Sequence, residues 1–373
     1  MDVFYDHTIF QQIYGGISRY FRELIVRLLD REGIDVYLFM GLFLNRYGLE
    51  REKNRYRSYW GLNVPSVRYT GRLRNFVNKR LWGYFQAKHA PEGGRKCLYH
   101  PTYYDFYGLP NAKVALTVHD FTHERYPRLF PKDETPKLKQ KAFGRADALI
   151  CISESTKNDL LDLYGCREGC KVKTIHHGYN DLSSLSKPHM SLPPAPYFLF
   201  VGPRHSYKNF DCLVNAFASS SDLKKDFGVV CFGGADFSKE ETKQFDKLGV
   251  THKIVRYEGG DDVLATLYKN AVALVSPSLY EGFGFPLLEA MSCGCPVVAS
   301  NTSSFPEVAG NAALLFTPTS RDELADQLYR IAYNDDVREH MIKSGRQRCT
   351  LFSWDRCIEE TFELYKELLL ETV

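Results

Sequence analysis

Two glutamates, Glu281 and Glu289, flank a turn rich in glycine and phenylalanine, within the stretch EGFGFPLLE. Carboxylates accept hydrogen bonds from hydroxyl groups, and glycine lets a ligand approach the backbone closely. Pro286 suits the first turn of a helix, where the N–H that proline lacks has no helical partner. Amide groups at the start of a helix, aided by the helix dipole, favour a phosphate or a sugar oxygen. The stretch therefore predicts a ligand site, and the alternative is a helix-capping loop with a surface glutamate.

Two cations, Arg204 and Lys208, follow an apolar run in the stretch FVGPRHSYKNF. Two fixed cations can stabilise negative charge that develops on a bound group, each by about 3 kcal/mol if donors of the oxyanion-hole type are a guide. The pair therefore predicts a site for an anionic group, and the alternative is a solvated basic start of a helix.

Further candidates stand near the ends of other apolar runs. Gly15 and Gly16, in IYGGISRYF, precede an amphipathic helical pattern and let the backbone approach a phosphate. The alternative is that glycine serves only the geometry of the turn. His119 ends the run VALTVH, where the alternative is a hydrogen-bonded core histidine. His100 and His177 follow other apolar runs and are weaker candidates for the same site.

Short apolar runs alternate with amphipathic helical patterns along the whole chain. This alternation is typical of parallel sheets covered by helices on both faces, so the fold class is predicted to be α/β. Ligands of such sheets bind beyond the carboxyl ends of the strands, where the candidates above stand. The predicted strands are residues 3–5, 36–40, 97–99, 114–118, 148–152, 172–175, 197–201, 229–232, 254–257, 273–276, 297–299 and 313–316.

One break divides the two series of strands, at residues 186–196, SKPHMSLPPAP. The segment is rich in proline and serine and has no periodicity, which is typical of a linker. We therefore predict one domain over residues 1–186 and a second over residues 197–352. Residues 353–373 are predicted to form a final helix with Ser353 as its N-cap and no strand behind it.

The segment PSLYEGFGFPLLEAMSCGCPVVAS resembles the E-x7-E signature of the retaining family 4 glycosyltransferases, which have the GT-B fold. Further matches in register extend the resemblance over nearly the whole chain. The resemblance implies two Rossmann-like domains that face a central cleft, the first binding the acceptor and the second a nucleotide sugar. It also implies that the C-terminal helix crosses back and packs on the first domain.

For single residues, the resemblance implies that Glu289 accepts from the ribose hydroxyls and that Glu281 contacts hydroxyls of the donor sugar. Arg204 and Lys208 would stabilise the diphosphate, and His119 would contact the sugar near the reacting centre. The predicted catalytic residues are His119, Glu281, Arg204 and Lys208, none of them a covalent nucleophile. The predicted donor-binding residues are Gly15, Gly16, Arg204, Lys208, Tyr257, Glu281, Phe283, Gly284, Phe285, Leu288 and Glu289.

The predicted reaction is the transfer of a hexose with retention of configuration and without a metal or other cofactor. The chain contains no D-x-D pair or similar carboxylate cluster for a hard cation.

The segments R-x-x-YKNF and GGISRYF resemble mannosyltransferases that build bacterial surface polysaccharides such as O-antigen and lipopolysaccharide. GDP-mannose is therefore the favoured donor, and a UDP-sugar for glucosyl or N-acetylglucosaminyl transfer is the alternative. The expected acceptor is a hydroxyl of a glycan or of a lipid-linked oligosaccharide.

Two other classes of function fit the same fold. One is an enzyme of different chemistry, such as a sugar-nucleotide epimerase or a phosphorylase, although a phosphorylase needs a pyridoxal-binding lysine and usually a longer chain. The other is a protein that binds a nucleotide sugar without catalysis. Glutamates and cations of the kind described above would serve binding as well as transfer.

The distribution of charge bears on the partners. The net charge of +3 is too small to indicate nucleic acid as the main partner. Residues 51–96 contain twelve basic and two acidic residues among many aromatic ones. This composition is consistent with docking to an anionic membrane that carries a lipid-linked acceptor, and equally with a solvated face of the first domain.

Other features of the sequence bear on location. The N-terminus lacks a signal-peptide pattern, and no apolar run is long enough to span a bilayer. The ten cysteines are scattered without the spacing of a zinc or redox motif, as in a reducing compartment. We therefore expect a cytoplasmic protein, in solution or peripheral at the inner face of the membrane.

Overall fold

The computed structural model describes residues 1–91, 96–193, 195–204 and 206–370. The chain forms two units, each with its own internal contacts. The first unit comprises Met1–Glu124, Phe130–Gly178 and the C-terminal segment from Trp354, and the second comprises Arg125–Leu129 and Tyr179–Ser353. Residues 92–95 of the basic stretch and 371–373 of the predicted last helix lie outside the described residues.

The first unit is built on a parallel sheet of seven described strands. Its strands are β1 (Asp2–Tyr5), β2 (Asp35–Phe43), β3 (Ser58–Asn63), β4 (Cys97–His100), β5 (Ala112–Val118), β6 (Ala148–Cys151) and β7 (Lys171–Thr174). They lie in the order β3-β2-β1-β4-β5-β6-β7, so the direction of chain growth reverses between β1 and β4. Those two strands are buried along their whole length because helices cover both faces of the sheet.

Six described helices belong to the first unit wholly or in part. They are α1 (Gly16–Leu28), α2 (Gly71–His89), α3 (Thr122–Arg125), α4 (Thr135–Phe143), α5 (Glu154–Leu163) and the C-terminal helix α14 (Trp354–Leu370). Among them, α2, α5 and α14 pack against the sheet. In α1, the buried side chains recur every three or four residues, which is the period of one helix face. Helix α5 begins at a Ser153 N-cap, whose hydroxyl accepts from the Thr156 amide.

The second unit is built on a parallel sheet of six described strands. They are β8 (Tyr197–Val201), β9 (Gly228–Phe232), β10 (Ile254–Tyr257), β11 (Ala273–Ser276), β12 (Val297–Ser300) and β13 (Leu314–Phe316), in the order β10-β9-β8-β11-β12-β13. The helices are α6 (Phe210–Ser219), α7 (Ser221–Asp226), α8 (Lys239–Leu248), α9 (Asp261–Asn270), α10 (Phe285–Ser292), α11 (Phe305–Ala309), α12 (Arg321–Tyr333) and α13 (Asp335–Cys349). The predicted α/β class with two Rossmann-like parallel sheets is thereby confirmed.

All twelve predicted strands are present, with ends that differ by three residues at most. Strand β3 was not predicted, because its segment SYWGLN has no continuous apolar run. This strand lies at the edge of the first sheet and is half-exposed or exposed throughout, so it carries no burial pattern. A shift in register between Phe39 and Gly41 further interrupts its pairing with β2.

The unit boundary lies earlier in the chain than the proline-rich segment. The sequence predicts residues 179–186 in the first domain, but they belong to the second unit. Leu182 is buried there, and the Leu185 carbonyl accepts from Lys269 of α9 at 2.7 Å. Residues 125–129 also belong to the second unit, where the Tyr126 hydroxyl donates to the Leu279 carbonyl at 3.1 Å.

Helix α14 belongs to the first unit, although the whole second unit precedes it in the chain. It packs on α1, β4 and β5. Its buried residues form one stripe along the helix: Trp354, Cys357, Ile358, Thr361, Leu364, Tyr365 and Leu368. The packing of this stripe, rather than chain order, determines the unit to which the helix belongs.

Candidate active site

Two of the predicted site loops follow neighbouring strands of the second sheet. Strand β8 pairs with β11, and the direction of chain growth reverses between them. In open α/β sheets, ligands bind beyond the carboxyl ends of the strands at such a reversal. Lys208 lies in the loop after β8, and Glu281 lies in the loop after β11.

Lys208 and Glu281 form an ion pair, with 2.6 Å between Nζ and Oε1. The Ser278 hydroxyl donates to the same carboxylate oxygen at 2.7 Å. The two charged side chains are 18% and 17% exposed, so the pair is partly shielded from water yet open to a ligand. The structure thus brings together a cation and a carboxylate that the sequence separates by 73 positions.

Hydrogen bonds from residues that the sequence analysis missed position both loops. Asn209 donates through Nδ2 to the carbonyls of Pro277 at 3.0 Å and Pro318 at 2.8 Å. The Glu281 amide donates to the Ser303 hydroxyl at 2.9 Å. The Ser304 hydroxyl lies 2.9 Å from both the Glu281 and the Phe283 carbonyl, so it can donate to either. Both serines follow β12 in the segment NTSSF, a polar cluster after an apolar run that could have signalled them.

Gly284 forms the N-cap of α10, and its φ of 106° lies in the left-handed region that favours glycine. A Cβ at this position would lie 2.8 Å from the Phe305 ring, so space also requires glycine here. Pro286 lies in the first turn of α10, as predicted. The Phe285 ring packs on that of Phe283, with 5.4 Å between their centroids.

Of the predicted donor-binding residues of α10, Leu288 and Glu289 are buried, whereas Phe285 is half-buried. Glu289 is buried one turn into the helix, and its Oε2 accepts from the Tyr268 hydroxyl at 3.5 Å. Phe283 and Leu288 are buried as well, and Leu288 has no exposed surface. The Leu288 side chain is therefore part of the core, so it could reach a donor only through its backbone.

Arg204 is bound within the second unit rather than to the Lys208–Glu281 pair. Its side chain is 5% exposed, and Nε donates to Glu241 Oε1 at 2.8 Å. Nη2 donates to the Ala235 carbonyl at 2.7 Å, and the guanidinium lies over the Phe237 ring. Partial burial alone would raise the pKa of Glu241, but hydrogen bonds from Arg204 and Ser238 lower it. A diphosphate must therefore displace Glu241 in order to pair with Arg204.

Tyr257 lies at the carboxyl end of β10 and is half-buried. Its hydroxyl donates to the Ser191 carbonyl at 3.1 Å, and its own carbonyl accepts from the Gly233 amide at 3.0 Å. Both interactions tie the strand end to neighbouring loops.

In the first unit, Gly15 caps the start of α1 and Gly16 is the first residue of the helix. The Gly15 amide and carbonyl lie 3.4 and 3.3 Å from the Tyr47 hydroxyl. A Cβ on Gly15 would lie 2.8 Å from the Gln12 side chain, so the turn has no room for a larger residue unless Gln12 moves.

His119 follows β5 and is buried, and its backbone amide donates to the Tyr104 hydroxyl at 3.0 Å. Burial lowers the pKa of the imidazole to about 4; the Asp120 carboxylate opposes this shift, and the Lys139 ammonium adds to it. The ring is therefore neutral near pH 7 and can both accept and donate a hydrogen bond.

His100 and His177, which the sequence analysis also considered, are buried in the same unit. His100 Nε2 lies 2.9 Å from the Thr117 hydroxyl, and Nδ1 lies 2.5 Å from the Tyr365 hydroxyl. Burial lowers the pKa of His100 to about 3. The Tyr365 hydroxyl also lies 3.1 Å from that of Tyr5. His100 is thus part of a hydrogen-bond network that joins β1, β4, β5 and α14.

The described ranges bear on two further functions, metal binding and crossing of a membrane. No three His, Cys, Asp or Glu side chains among these residues are grouped so that they could hold a metal ion. None of the helices in the same ranges has the length and apolar character needed to cross a bilayer.

Two family models match this chain. The model described as Glycosyltransferase Family 4 matches residues 14–181, which include Gly15, Gly16 and His119. The model described as Glycosyl transferases group 1 matches residues 186–348, which include Lys208 and Glu281. The two matches together cover both predicted domains.

Individual proteins are similar over almost the full length. O-antigen chain mannosyltransferase B of Escherichia coli is 28% identical, over 95% of this chain and 96% of its own. Sucrose-phosphate synthase of Thermosynechococcus elongatus has a TM-score of 0.77 at 22% identity, covering 98% of each chain. Anabaena HepE in complex with UDP-glucose has a TM-score of 0.75 at 16% identity, over 98% of this chain and 99% of its own. The two structures establish a shared fold.

Proposed function

This chain belongs to glycosyltransferase family 4, among its mannosyltransferase-like members, and on that premise we propose that it transfers a hexose from a nucleoside diphosphate sugar to a hydroxyl of a glycan or lipid-linked oligosaccharide. The observation that carries the proposal is the Lys208–Glu281 pair at the reversal of the second sheet. This pair offers one group for a phosphate and one for sugar hydroxyls at adjacent positions.

The proposed reaction proceeds with retention and without a metal. The acceptor hydroxyl attacks the anomeric carbon from the face that the nucleotide leaves, while the bond to the diphosphate breaks and the acceptor proton passes to the departing phosphate. Lys208 and the amides at the start of α10 stabilise the negative charge on the diphosphate. Arg204 is the second cation once the diphosphate has displaced Glu241.

The remaining groups position the donor. Glu281 accepts hydrogen bonds from the donor sugar, and Glu289 accepts from the ribose. His119 contacts the sugar near the reacting centre as a neutral imidazole, consistent with its lowered pKa. The Gly15 and Gly16 backbone approaches the phosphates, and the strand end at Tyr257 lies near the base.

Mannose is the favoured sugar and GDP the favoured nucleotide. The E. coli relative is named as an O-antigen mannosyltransferase, which supports a role in surface polysaccharide biosynthesis. A UDP-sugar is the alternative donor, since the structurally similar HepE binds UDP-glucose.

Substitution of Glu281 tests the proposal directly. Glu281→Ala is expected to lower kcat by about 100-fold or more, as loss of one positioned catalytic group does, while nucleotide binding persists. Asp335→Ala is the control, because it removes an exposed carboxylate of α13 that pairs with Arg338 in the same unit. Transfer rates are measured with GDP-mannose and UDP-sugars and a hydroxyl acceptor.

Three other results of the transfer assay would contradict the proposal or favour another class of protein. Unchanged transfer by Glu281→Ala contradicts the assignment of this site. Nucleotide binding without transfer by the unsubstituted protein supports the non-catalytic class. Conversion of the donor in the absence of an acceptor supports an epimerase.

We include in the proposal that the first unit docks on an anionic membrane at its cytoplasmic face. Helix α2 and the turn before it expose apolar side chains, with Leu73 at 65% and Tyr84 at 77% exposure. The Arg80 guanidinium lies over the exposed Phe76 ring. Residues 53–91 contain no acidic side chain, and each basic residue near an anionic surface is worth about 1 kcal/mol. The ten free thiols support a reducing compartment.

Pelleting with vesicles tests this docking. Vesicles that contain phosphatidylglycerol should sediment the protein at low salt and release much of it at high salt. Arg72→Glu with Arg80→Glu should weaken sedimentation, whereas Lys243→Glu with Lys247→Glu, an exposed pair on α8, should not. Equal binding to neutral and anionic vesicles contradicts the electrostatic part of the proposal.

A further inference from the structure

Lys139 is a buried lysine in α4 that the proposed reaction leaves unassigned. Its side chain is 1% exposed, whereas lysine is almost never fully buried unless it is paired. Nζ donates to the Asp120 carbonyl at 2.7 Å and to Glu124 Oε2 at 2.9 Å. Asp120 Oδ1 lies 4.0 Å away on the same side. One ammonium therefore holds both ends of the loop that follows His119.

Two aromatic rings and a buried carboxylate surround this ammonium. Nζ lies 4.8 Å from the centroid of the Phe121 ring and 5.3 Å from that of Tyr104. The Glu124 side chain is only 8% exposed, and its second oxygen accepts from the Tyr164 hydroxyl at 2.8 Å. The lysine thus has two oxygen partners and two ring faces, which is the compensation that a buried charge requires.

Lys139 is connected to His119 in two ways, through Tyr104 and through the Asp120 backbone. The Tyr104 hydroxyl accepts from the His119 amide at 3.0 Å, while the Tyr104 ring faces the Lys139 ammonium. The carbonyl that Lys139 binds belongs to Asp120, the next residue in the chain. Asp120 Oδ1 accepts from the Thr122 amide at 3.0 Å, which closes the turn.

We propose that Lys139 is a positioning residue for His119, because it fixes the loop that carries the imidazole and places a buried positive charge beside it. This inference rests on the proposed function, in which His119 contacts the donor sugar. Lys139 itself touches no substrate. Loss of its ammonium would release the backbone immediately after His119, and small displacements of a positioned group reduce turnover steeply.

The charge of Lys139 has a second consequence for the imidazole. The titratable groups that face His119 are Asp120, Lys139, Tyr20, Tyr104, His100 and His177. Burial is the main cause of the low pKa of His119; the Asp120 carboxylate raises the pKa, and Lys139 lowers it. Lys139 therefore helps to keep the imidazole neutral beside the partly exposed Asp120 carboxylate.

The test removes the charge without leaving an unpaired ion. Lys139→Met alone would strand the buried Glu124 carboxylate, so it is combined with Glu124→Gln. Titration of histidine Cε1 protons by NMR measures the pKa of His119, whose resonance is assigned by its absence in His119→Asn. We expect the pKa of His119 to rise in the double variant. We also expect kcat to fall by up to about 100-fold, with the nucleotide dissociation constant changed by less than about twofold.

Matched variants separate this role from general stability. Lys157→Met with Glu154→Gln removes a more exposed ion pair of α5 in the same unit and should leave both the titration and kcat unchanged. Lys139→Arg retains the cation and should retain the low pKa of His119. Lys139→Gln with Glu124→Gln keeps an amide donor for the Asp120 carbonyl and should raise the pKa of His119 with a smaller loss of kcat. This pair replaces the first double variant if that one does not fold.

The outcomes distinguish this inference from the proposed function. An unchanged pKa of His119 in a folded variant without the lysine charge overturns the inference. A raised pKa with unchanged kcat overturns the positioning role in the reaction. If the unsubstituted protein transfers no sugar, the proposed function fails and the role of Lys139 in transfer fails with it, whereas the titration still decides whether Lys139 sets the charge of His119.

Discussion

The imidazole of His119 is surrounded by other rings of the first unit. Its centroid lies 5.8 Å from that of Tyr20, 6.2 Å from Phe21 and 6.4 Å from His177. Packing of this kind removes water from the ring and so disfavours its charged form. A neutral ring that can donate and accept suits contact with a sugar, whereas an imidazolium could only donate.

This burial predicts how stability depends on pH. The pKa of His119 is about 4 in the folded chain and 6.5 when exposed, so the unfolded chain binds more protons between these values. The free energy of unfolding is expected to fall as the pH drops from 6.5 to about 4, and the contribution of His119 is fully present above pH 6.5. The difference between the folded and unfolded pKa of His119 corresponds to about 3 kcal/mol in the free energy of unfolding. Urea unfolding across this range measures the slope, and an equal slope in His119→Gln would contradict the assignment.

Gly284 offers a second test at the level of a single residue. Gly284→Ala combines a left-handed backbone with a Cβ 2.8 Å from the Phe305 ring. We expect it to lower the free energy of unfolding of the second unit by about 2–4 kcal/mol and to weaken nucleotide binding. Gly249→Ala is the control, because Gly249 has a φ of 67° but nothing within 4 Å of its Cβ. Denaturant unfolding should show that Gly249→Ala lowers the free energy of unfolding by only about 1–2 kcal/mol. Equal losses for the two variants would show that the contact with Phe305 contributes nothing.

At the scale of elements, α14 contributes a buried hydroxyl as well as an apolar stripe. The Tyr365 hydroxyl bonds to both Tyr5 of β1 and His100 of β4. Thr117 of β5 continues the network to Tyr20 of α1, with 3.0 Å between the oxygens. Removal of one member leaves its partners buried without a bond, which costs more than the bond itself contributes.

Tyr365→Phe should therefore destabilise the first unit by about 1–3 kcal/mol, because it leaves His100 Nδ1 and the Tyr5 hydroxyl without their partner. Tyr333→Phe is the control, since the Tyr333 hydroxyl bonds to Asp226 at 2.8 Å in a more exposed setting of the second unit. The control should change stability by no more than about 0.5 kcal/mol. Thermal or denaturant unfolding compares the two, and a neutral Tyr365→Phe would show that the network contributes little.

For the whole molecule, each unit has its own core and its own sheet. The second unit contains the core formed by Phe198, Phe210, Phe217, Leu213 and Val229 among others. The Lys208–Glu281 pair and Glu289 lie entirely in that unit. A nucleotide that binds these residues should therefore stabilise the second unit against unfolding.

Thermal unfolding with GDP, UDP and ADP, without added metal, measures this effect. A ligand at about 100 times its dissociation constant stabilises the state that binds it by about 2.7 kcal/mol. We expect GDP to raise the melting temperature most and Lys208→Ala to reduce that rise. Lys243→Ala, which removes an exposed cation of α8, is the control. Failure of all three nucleotides to raise the melting temperature would contradict the donor site.

Much of the fold could be read from local patterns. Strands such as β8 and β11 are continuous apolar runs, because both faces of a parallel sheet are covered, and polar or glycine-rich loops follow them. The edge strand β3 was missed because an exposed strand needs no apolar run. The serines at positions 303 and 304 were missed because their partners, the Glu281 and Phe283 backbone, lie some 20 residues away.

The amino-acid sequence alone determined the positions of the described strands other than β3, the linked turn and helix at Glu281–Glu289, and the family resemblance, since all of these depend on neighbouring residues. Only the tertiary structure decided that Lys208 pairs with Glu281 while Arg204 pairs with Glu241, and that Lys139 binds the carbonyl of the residue after His119. It also places α14 in the first unit, as the resemblance implies. Strand order and packing bring distant side chains together, and charged groups then pair with whichever partner compensates their burial.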